Sequence, residues 1–126
     1  MTRYLTIEQV VGLAGATLGA PPRLRDAGLL DSAVHRPQAS MFGHEAYPHV
    51  LVKAAALLHS LVIHRPFERG GKQIAWVCTV VFLACNGIEV DAVDDSVDGL
   101  VTSIASGELA EVDEIAQVLW GFVAPI

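Results

Sequence analysis

The chain has 126 residues, of which 52% are hydrophobic and 17% are charged. This composition excludes an intrinsically disordered protein and predicts a single domain, residues 1–126, with one hydrophobic core. The 14 Asp and Glu residues outnumber the 8 Lys and Arg residues and give a net charge of −6, so we expect no direct binding to nucleic acid. The N-terminus has no apolar run of the signal-peptide type, and no apolar stretch is long enough to cross a bilayer. Both features predict a cytoplasmic protein without a membrane partner.

Two short helices are predicted in the first third of the chain. Thr6 and Gln9 have the spacing of a capping box, which predicts a helix over residues 7–15. Asp26 can cap a second helix that continues through residues 28–34, because Asp is a preferred N-cap residue.

Two long apolar segments, residues 50–63 and 74–85, are predicted to be the central helices. Neither segment alternates apolar and polar residues, so neither has the pattern of a half-buried strand. Both are apolar nearly all round, which is typical of buried helices. A loop over residues 39–48 precedes the first of them, and Pro48 suits a first helical turn. We therefore predict that these two helices pack against each other in the core.

The C-terminal third predicts two further helices. The Asn-Gly pair at residues 86–87 is a strong helix stop. Residues 88–90 are predicted to be extended, and helices are predicted over residues 94–105 and 112–120. The fold class is therefore all-α, a compact bundle of about six helices.

Cysteine and histidine spacing gives no sign of a disulfide or a zinc site. Cys78 and Cys85 lie two helical turns apart, too far for a disulfide, and both are predicted to be buried free thiols. His35, His44 and His49 lie in predicted loops with no zinc-ligand spacing, so we expect them to be surface residues.

Two polar features are expected to serve the fold. His59 lies within the first central helix, where a hydrogen-bonded core histidine is the favoured interpretation. The acidic run of Asp91, Asp94, Asp95 and Asp98 is expected to cap and solvate the helix that follows, because acids favour a helix N-terminus.

The polar segment between the two central helices, residues 64–73, carries the candidate chemistry. Gly70 and Gly71 allow a ligand to approach the backbone closely. A helix that begins near Gly71 would point its free N–H groups into the loop and form an anion site. The positive charge of this segment comes from Arg65, Arg69 and Lys72. Glu68 is its one carboxylate. From these residues alone, the alternative is a solvated basic corner between two helices.

The segment and its flanks resemble the Fic/Doc family, specifically the short Doc (death-on-curing) type, which is the toxin of a toxin–antitoxin pair. The family signature is His, Pro or a small residue, Phe or Leu, any residue, Asp, Gly, Asn, Lys, Arg. It is matched here by Arg65-Pro-Phe-Glu-Arg-Gly-Gly-Lys-Gln73. The flanking matches are residues 25–33, 36–38, 42–43, 47–48, 53–61, 75–76, 82–83 and 86–87.

The resemblance implies a nucleotide-dependent chemistry. Fic-type enzymes transfer part of ATP to a protein hydroxyl with Mg²⁺ bound, and Doc-type members act on a translation factor and pair with a cognate antitoxin. By this resemblance, the implied ligands are ATP and Mg²⁺. The family's signature differs at four positions, with Arg65 at the catalytic His, Arg69 at the metal-binding acid, Gly71 at the phosphate-contacting Asn and Gln73 at the phosphate-binding Arg.

Three functions follow from this pattern. In the first, Gly70, Gly71 and Lys72 still bind phosphate, and a Doc-like toxin with reduced or lost transferase activity acts by binding a nucleotide or a protein. In the second, the enzyme is active and a translation-factor hydroxyl is modified, with His64 as base and Glu68 as metal ligand, each one place early. In the third, His64, Arg65 and Lys72 cleave RNA, which the acidic net charge disfavours. The four changed positions favour the first, because arginine replaces histidine as the base.

Overall fold

The computed structural model describes residues 1–125, so Ile126, the last residue of the predicted domain, lies outside it. Within this range the chain forms six α-helices, a short 3₁₀ turn and one two-stranded hairpin. The prediction of an all-α bundle of about six helices is confirmed. The helices are α1 (Ile7–Leu18), α2 (Ala27–His35), α3 (Val50–His64), α4 (Gly71–Cys85), α5 (Asp94–Ala105) and α6 (Val112–Gly121). The 3₁₀ turn is Arg36–Gln38, and the strands are β1 (Ser40–Met41) and β2 (His44–Glu45). No helix among these residues is both long and apolar enough to span a membrane.

Local capping signals place the first two helices. The Thr6 side chain accepts a hydrogen bond from the backbone N–H of Gln9, whose side chain accepts one from the backbone N–H of Thr6. The Asp26 carboxylate accepts one from the N–H of Leu29 at the start of α2. Both predicted caps are confirmed. Helix α1 runs three residues further than predicted and ends at Gly19, whose φ of +69° is the left-handed conformation that glycine adopts without strain.

Helix α3 is the centre of the bundle and packs most extensively against α4 and α6. Its apolar side chains are buried nearly all round, as predicted. Helix α4 buries one face only, and its other apolar side chains are half-buried or, at Ala84 and Cys85, exposed, because α5 covers α4 incompletely. The buried face of α4 consists of Ile74, Ala75, Cys78, Thr79, Phe82 and Leu83.

The two cysteines on α4 differ in burial. Cys78 is fully buried, and burial raises the pKa of its thiol to about 12. Cys85 is exposed, so the prediction of two buried thiols is wrong for Cys85. Residues seven apart share a helix face, but Cys85 is the last residue of α4. The cavity beside it is lined by the chain's N-terminal residues, Val50 and Asn86, so the bundle core does not cover it.

The predicted loop over residues 39–48 contains the β1–β2 hairpin. Its turn residues, Phe42 and Gly43, have φ values of +52° and +79°, as in the two-residue turns whose twist matches paired strands. Helix α3 begins only at Val50, because His49 is its N-cap and accepts a hydrogen bond from a first-turn N–H. The placement of Pro48 in the first turn of α3 is therefore wrong.

Lys53 joins this hairpin to the core. Its side chain is 1% exposed, and its Nζ donates to Glu45 Oε1 at 3.0 Å and to the carbonyl of Pro37 at 3.3 Å. Burial alone lowers the pKa of Lys53, but the hydrogen bonds and charges of Tyr4 and Glu45 outweigh it and raise that pKa. The ammonium therefore stays charged and holds the hairpin against α3.

The C-terminal segments close the bundle. Val90 forms an isolated antiparallel bridge with Val123, so the predicted extended piece at residues 88–90 does pair with another segment. Helices α5 and α6 match their predicted bounds to within one residue. Asp94 and Asp95 lie in the first turn of α5, but no side chain caps it, so these acids can favour α5 only through the helix dipole.

Candidate functional site

The loop between α3 and α4 is held by the segment that precedes α2. Phe67 forms an antiparallel bridge with Leu24, and both Pro66 and Phe67 are buried. The backbone hydrogen bonds run from Arg25 N to Pro66 O at 2.7 Å, from Asp26 N to Pro66 O at 3.2 Å and from Glu68 N to Arg23 O at 2.9 Å. These bonds fix the middle of the loop, so the flanking side chains project from a rigid backbone.

Arg25 also closes the C-terminus of α3. Its Nε donates to the carbonyl of Arg65 at 2.7 Å, and its Nη2 donates to the carbonyl of His64. Arg65 is the C-cap and has a φ of +44°, which is unfavourable for a residue with a Cβ. The guanidinium of Arg25 therefore stabilises an otherwise strained turn. Its role was not predictable from local sequence, because Arg25 and Arg65 are 40 residues apart.

Gly70 sets the start of α4. It is the N-cap with a φ of +70°, and no side chain caps the helix. A Cβ on Gly70 would lie 2.5 Å from Cδ2 of Leu18, whereas a Cβ on Gly71 would meet no atom within 4 Å. Helix α4 begins at Gly71, three residues before the predicted segment 74–85, which meets the condition stated for an anion site. Its first N–H groups have no side-chain acceptor, which is the arrangement that binds anions at helix N-termini.

A groove of about 760 Å³ lies beside this helix end, within the size range of small-molecule sites. Its polar lining comes from the loop, the start of α4 and the segment before α2. The lining residues are Arg25, Arg65, Glu68, Gly71 and Lys72, with Val62, Ile63, Phe67 and Ala105 as the apolar wall. We call this cavity the basic groove. Among residues 1–125, the close pairs of oppositely charged side chains are Asp31–His35 and Glu45–Lys53, so the charges of the basic groove are not paired with each other.

The structure brings together most, but not all, of the predicted site residues. Gly70 lies in an adjoining cavity of about 330 Å³ at the start of α4, which Gln73 and Asp98 also line. His64 is the half-buried last residue of α3 and does not line the basic groove. Arg69 lines a separate cavity of about 380 Å³ on the α1 side. Arg69, at the position of the family's metal-binding acid, therefore does not line the basic groove, whereas Glu68 lines both cavities.

His59 belongs to a polar cluster on α3. The guanidinium of Arg36 donates to Tyr47 Oη at 3.0 Å, to His59 Nδ1 at 2.8 Å and to Ser60 Oγ at 2.8 Å. Burial, followed by the positive charges of Arg36 and His64, lowers the pKa of His59, and Glu111 opposes this shift. The hydrogen bond predicted for His59 is confirmed, but His59 is half-buried and not a core residue.

A second groove lies on the other side of Lys72, between α4 and α5. It has a volume of about 570 Å³. Its apolar floor is bordered by polar side chains, three of which are aspartates. The floor is formed by Trp76, Val77, Val97 and Val101, and the border by Lys72, Gln73, Asp94, Asp95 and Asp98. The ring of Trp76 meets that of Phe122 edge-on at 6.1 Å. We call this cavity the acidic groove. Sequence reasoning missed the contribution of Asp98, because the acidic run was interpreted as a helix start.

The described residues do not form a preassembled metal site. No group of three or more His, Cys, Asp or Glu side chains in residues 1–125 is placed to hold a metal ion. His35, His44 and His49 are exposed, as expected for surface residues. Among residues 1–125, Glu68, the predicted metal ligand, is the only residue with a carboxylate that lines the basic groove.

The sequence that forms this fold and loop is similar to proteins of a known family. The sequence model of the Fic/DOC family matches residues 4–83, which include the loop, α3 and all but the last two residues of α4, and the chain belongs to that family. A protein of Mycolicibacterium smegmatis (strain ATCC 700084 / mc(2)155) named Toxin Doc is 40% identical over 126 residues, covering 98% of this chain and 96% of that protein. The resemblance deduced from the loop and its flanks is thereby confirmed.

Proposed function

We propose that this protein is the toxin of a toxin–antitoxin pair and that it binds a nucleotide, with ATP as the expected ligand, without carrying out the family's transfer reaction at an appreciable rate. The toxin role is supported by the similarity to Toxin Doc along nearly the whole chain. The proposal of nucleotide binding without transfer rests on the lining of the basic groove. This lining includes the anion-binding residues, but the family's catalytic histidine and metal-binding acid are replaced.

The anion-binding parts are Gly71, at the start of α4, and Lys72. A backbone N–H and a lysine ammonium can both hold a phosphate oxygen. Arg65 stands at the position of the family's base, and a guanidinium, unlike an imidazole, does not act as a proton acceptor for a hydroxyl. Binding of phosphate can therefore persist where proton removal does not.

The second candidate is an active transferase that modifies a hydroxyl of a translation factor, with His64 as base and Glu68 as metal ligand. Glu68 lining the basic groove favours it. The position of His64 opposes it, because a general base must reach the reacting hydroxyl directly or through one water. In-line transfer also tolerates little misplacement of the reacting groups.

Radiolabel transfer from ATP to proteins of a cell lysate separates the two candidates. We expect no transfer by the wild-type protein and no change in its toxicity in cells on His64→Ala. The combined variant Arg65→His, Arg69→Asp, Gly71→Asn and Gln73→Arg restores the family signature and tests whether transfer can be recovered. Transfer by the wild type that disappears in His64→Ala, with Arg65→Ala nearly unchanged, would establish the second candidate instead.

The acidic groove is the surface that we propose for the antitoxin partner. Its floor leaves apolar area of Trp76 and Val77 accessible, and its border carries three aspartates. A segment with apolar side chains flanked by lysine or arginine complements this surface. Because Lys72 lines both grooves, an occupant of the acidic groove would lie next to the basic groove.

A further inference from the structure

The basic groove carries a surplus of positive charge that the fold itself does not neutralise. Of the described residues 1–125, Arg25, Arg65 and Lys72 line it with a single carboxylate, Glu68, which leaves a formal excess of two positive charges. None of these side chains forms an ion pair within residues 1–125. Unpaired cations around a cavity favour an anion of high charge.

The same residues do not fit the Mg²⁺ that accompanies ATP in the family. Magnesium is held by carboxylate, phosphate and water oxygens, and the family's metal-binding acid is replaced by Arg69, which lines another cavity. Glu68 remains, but Arg25 and Arg65 line the same groove and repel a divalent cation. A metal ion is therefore disfavoured where the family places one.

Resting on the proposed nucleotide binding, we infer that the basic groove binds the polyphosphate of a nucleotide without Mg²⁺. Arg25 and Arg65 supply the positive charge that the metal supplies elsewhere. The guanidinium of Arg25 is held in place by the carbonyls of His64 and Arg65, so little side-chain entropy is lost on binding. A planar guanidinium can bind phosphate oxygens in pairs. Because Mg²⁺ reduces the charge of ATP, it should weaken this binding.

Titration calorimetry of the full chain with ATP, in EDTA and in excess Mg²⁺, tests this inference. We expect binding in EDTA that is at least as tight as in Mg²⁺, and displacement of ATP by inorganic tripolyphosphate. Arg65→Gln should weaken binding in EDTA about tenfold or more, the loss expected for a charge-assisted hydrogen bond. Arg69→Gln, on the same loop but outside the groove, is the matched control and should change binding less than about twofold.

The outcomes separate this inference from the function on which it rests. Binding of ATP only in the presence of Mg²⁺ would overturn metal-independent binding and leave the proposed nucleotide function standing. Absence of binding in both buffers would overturn both. ATP bound in EDTA that tripolyphosphate fails to displace would show that the polyphosphate is not the recognised group. An equal loss of affinity in Arg65→Gln and Arg69→Gln would exclude the basic groove as the site.

Discussion

The hydrogen bond from Arg36 to His59 exists only while Nδ1 of the imidazole is unprotonated. Arg36 Nη1 lies 2.8 Å from that nitrogen, and a protonated ring would present a second donor instead of an acceptor. The charged groups that act on His59 are Arg36, His64 and Glu111, and together with burial they lower its pKa below the ordinary value. We therefore expect this imidazole to make the stability of the fold depend on pH.

We predict that the free energy of unfolding decreases as the pH falls from 7 to 5, and that His59→Gln reduces this decrease. The unfolded chain has the higher His59 pKa and binds the proton first. The contribution of His59 to the free energy of unfolding is therefore fully present above the pKa of the unfolded chain, about 6.5. It is lost as the pH falls from there through the lower pKa of the folded protein. Glutamine keeps an oxygen that can accept the hydrogen bond from Arg36 but does not titrate.

Urea denaturation at the two pH values measures this effect. His44→Gln, on the exposed strand β2, is the matched control and should leave the pH dependence of the wild type unchanged. A decrease in His59→Gln as large as that of the wild type would show that other groups cause it.

At the scale of elements, the start of α4 decides how the loop is presented. Gly70 holds a left-handed backbone against Leu18 of α1, and Gly71 opens the helix in free space. The sequence shows the two as identical neighbours. The structure assigns the first to packing and leaves only the second lining the basic groove.

We predict that Gly70→Ala destabilises the protein by about 1–2 kcal/mol or more, the cost of a left-handed conformation for a residue with a Cβ. The contact with Leu18 adds to this cost. Gly71→Ala should stabilise the protein by up to about 1 kcal/mol, because alanine is the better helix former and meets no atom there. The midpoints of urea denaturation compare the two variants. Equal effects of the two substitutions would contradict the assignment of a packing role to Gly70 alone.

The features of these helices that depend on neighbouring residues could be predicted from the sequence, and those that depend on distant contacts could not. The cap formed by Thr6 and Gln9 and the cap at Asp26 depend on neighbouring residues, and both were predicted. Burial of Cys85 was wrongly predicted, because an apolar helix does not show where its covering elements end. The role of Arg25 could not be predicted, since it depends on a contact across 40 residues.

At the scale of the whole molecule, the charges are divided along the chain. All eight Lys and Arg residues precede Cys85, together with five of the fourteen acids, which gives residues 1–85 a net charge of +3. The remaining residues carry nine acids and no lysine or arginine, hence −9. The fold places the basic groove beside the acidic groove, with Lys72 lining both. Opposite charges on adjacent surfaces favour two different ligands, an anion and a basic partner segment.

We predict that the double variant Asp95→Asn and Asp98→Asn weakens binding of the proposed antitoxin partner. Both carboxylates line the acidic groove, and each partly exposed ion pair contributes up to about 1 kcal/mol, so the loss should be about tenfold in Kd. The effect should shrink at high salt, where exposed charges are screened. Asp113→Asn, an exposed acid of α6 that does not line the groove, is the matched control. Calorimetric titration with the antitoxin at low and high salt measures Kd for the wild type, the double variant and Asp113→Asn. A salt-independent loss, or an equal loss in Asp113→Asn, would place the partner elsewhere on the molecule.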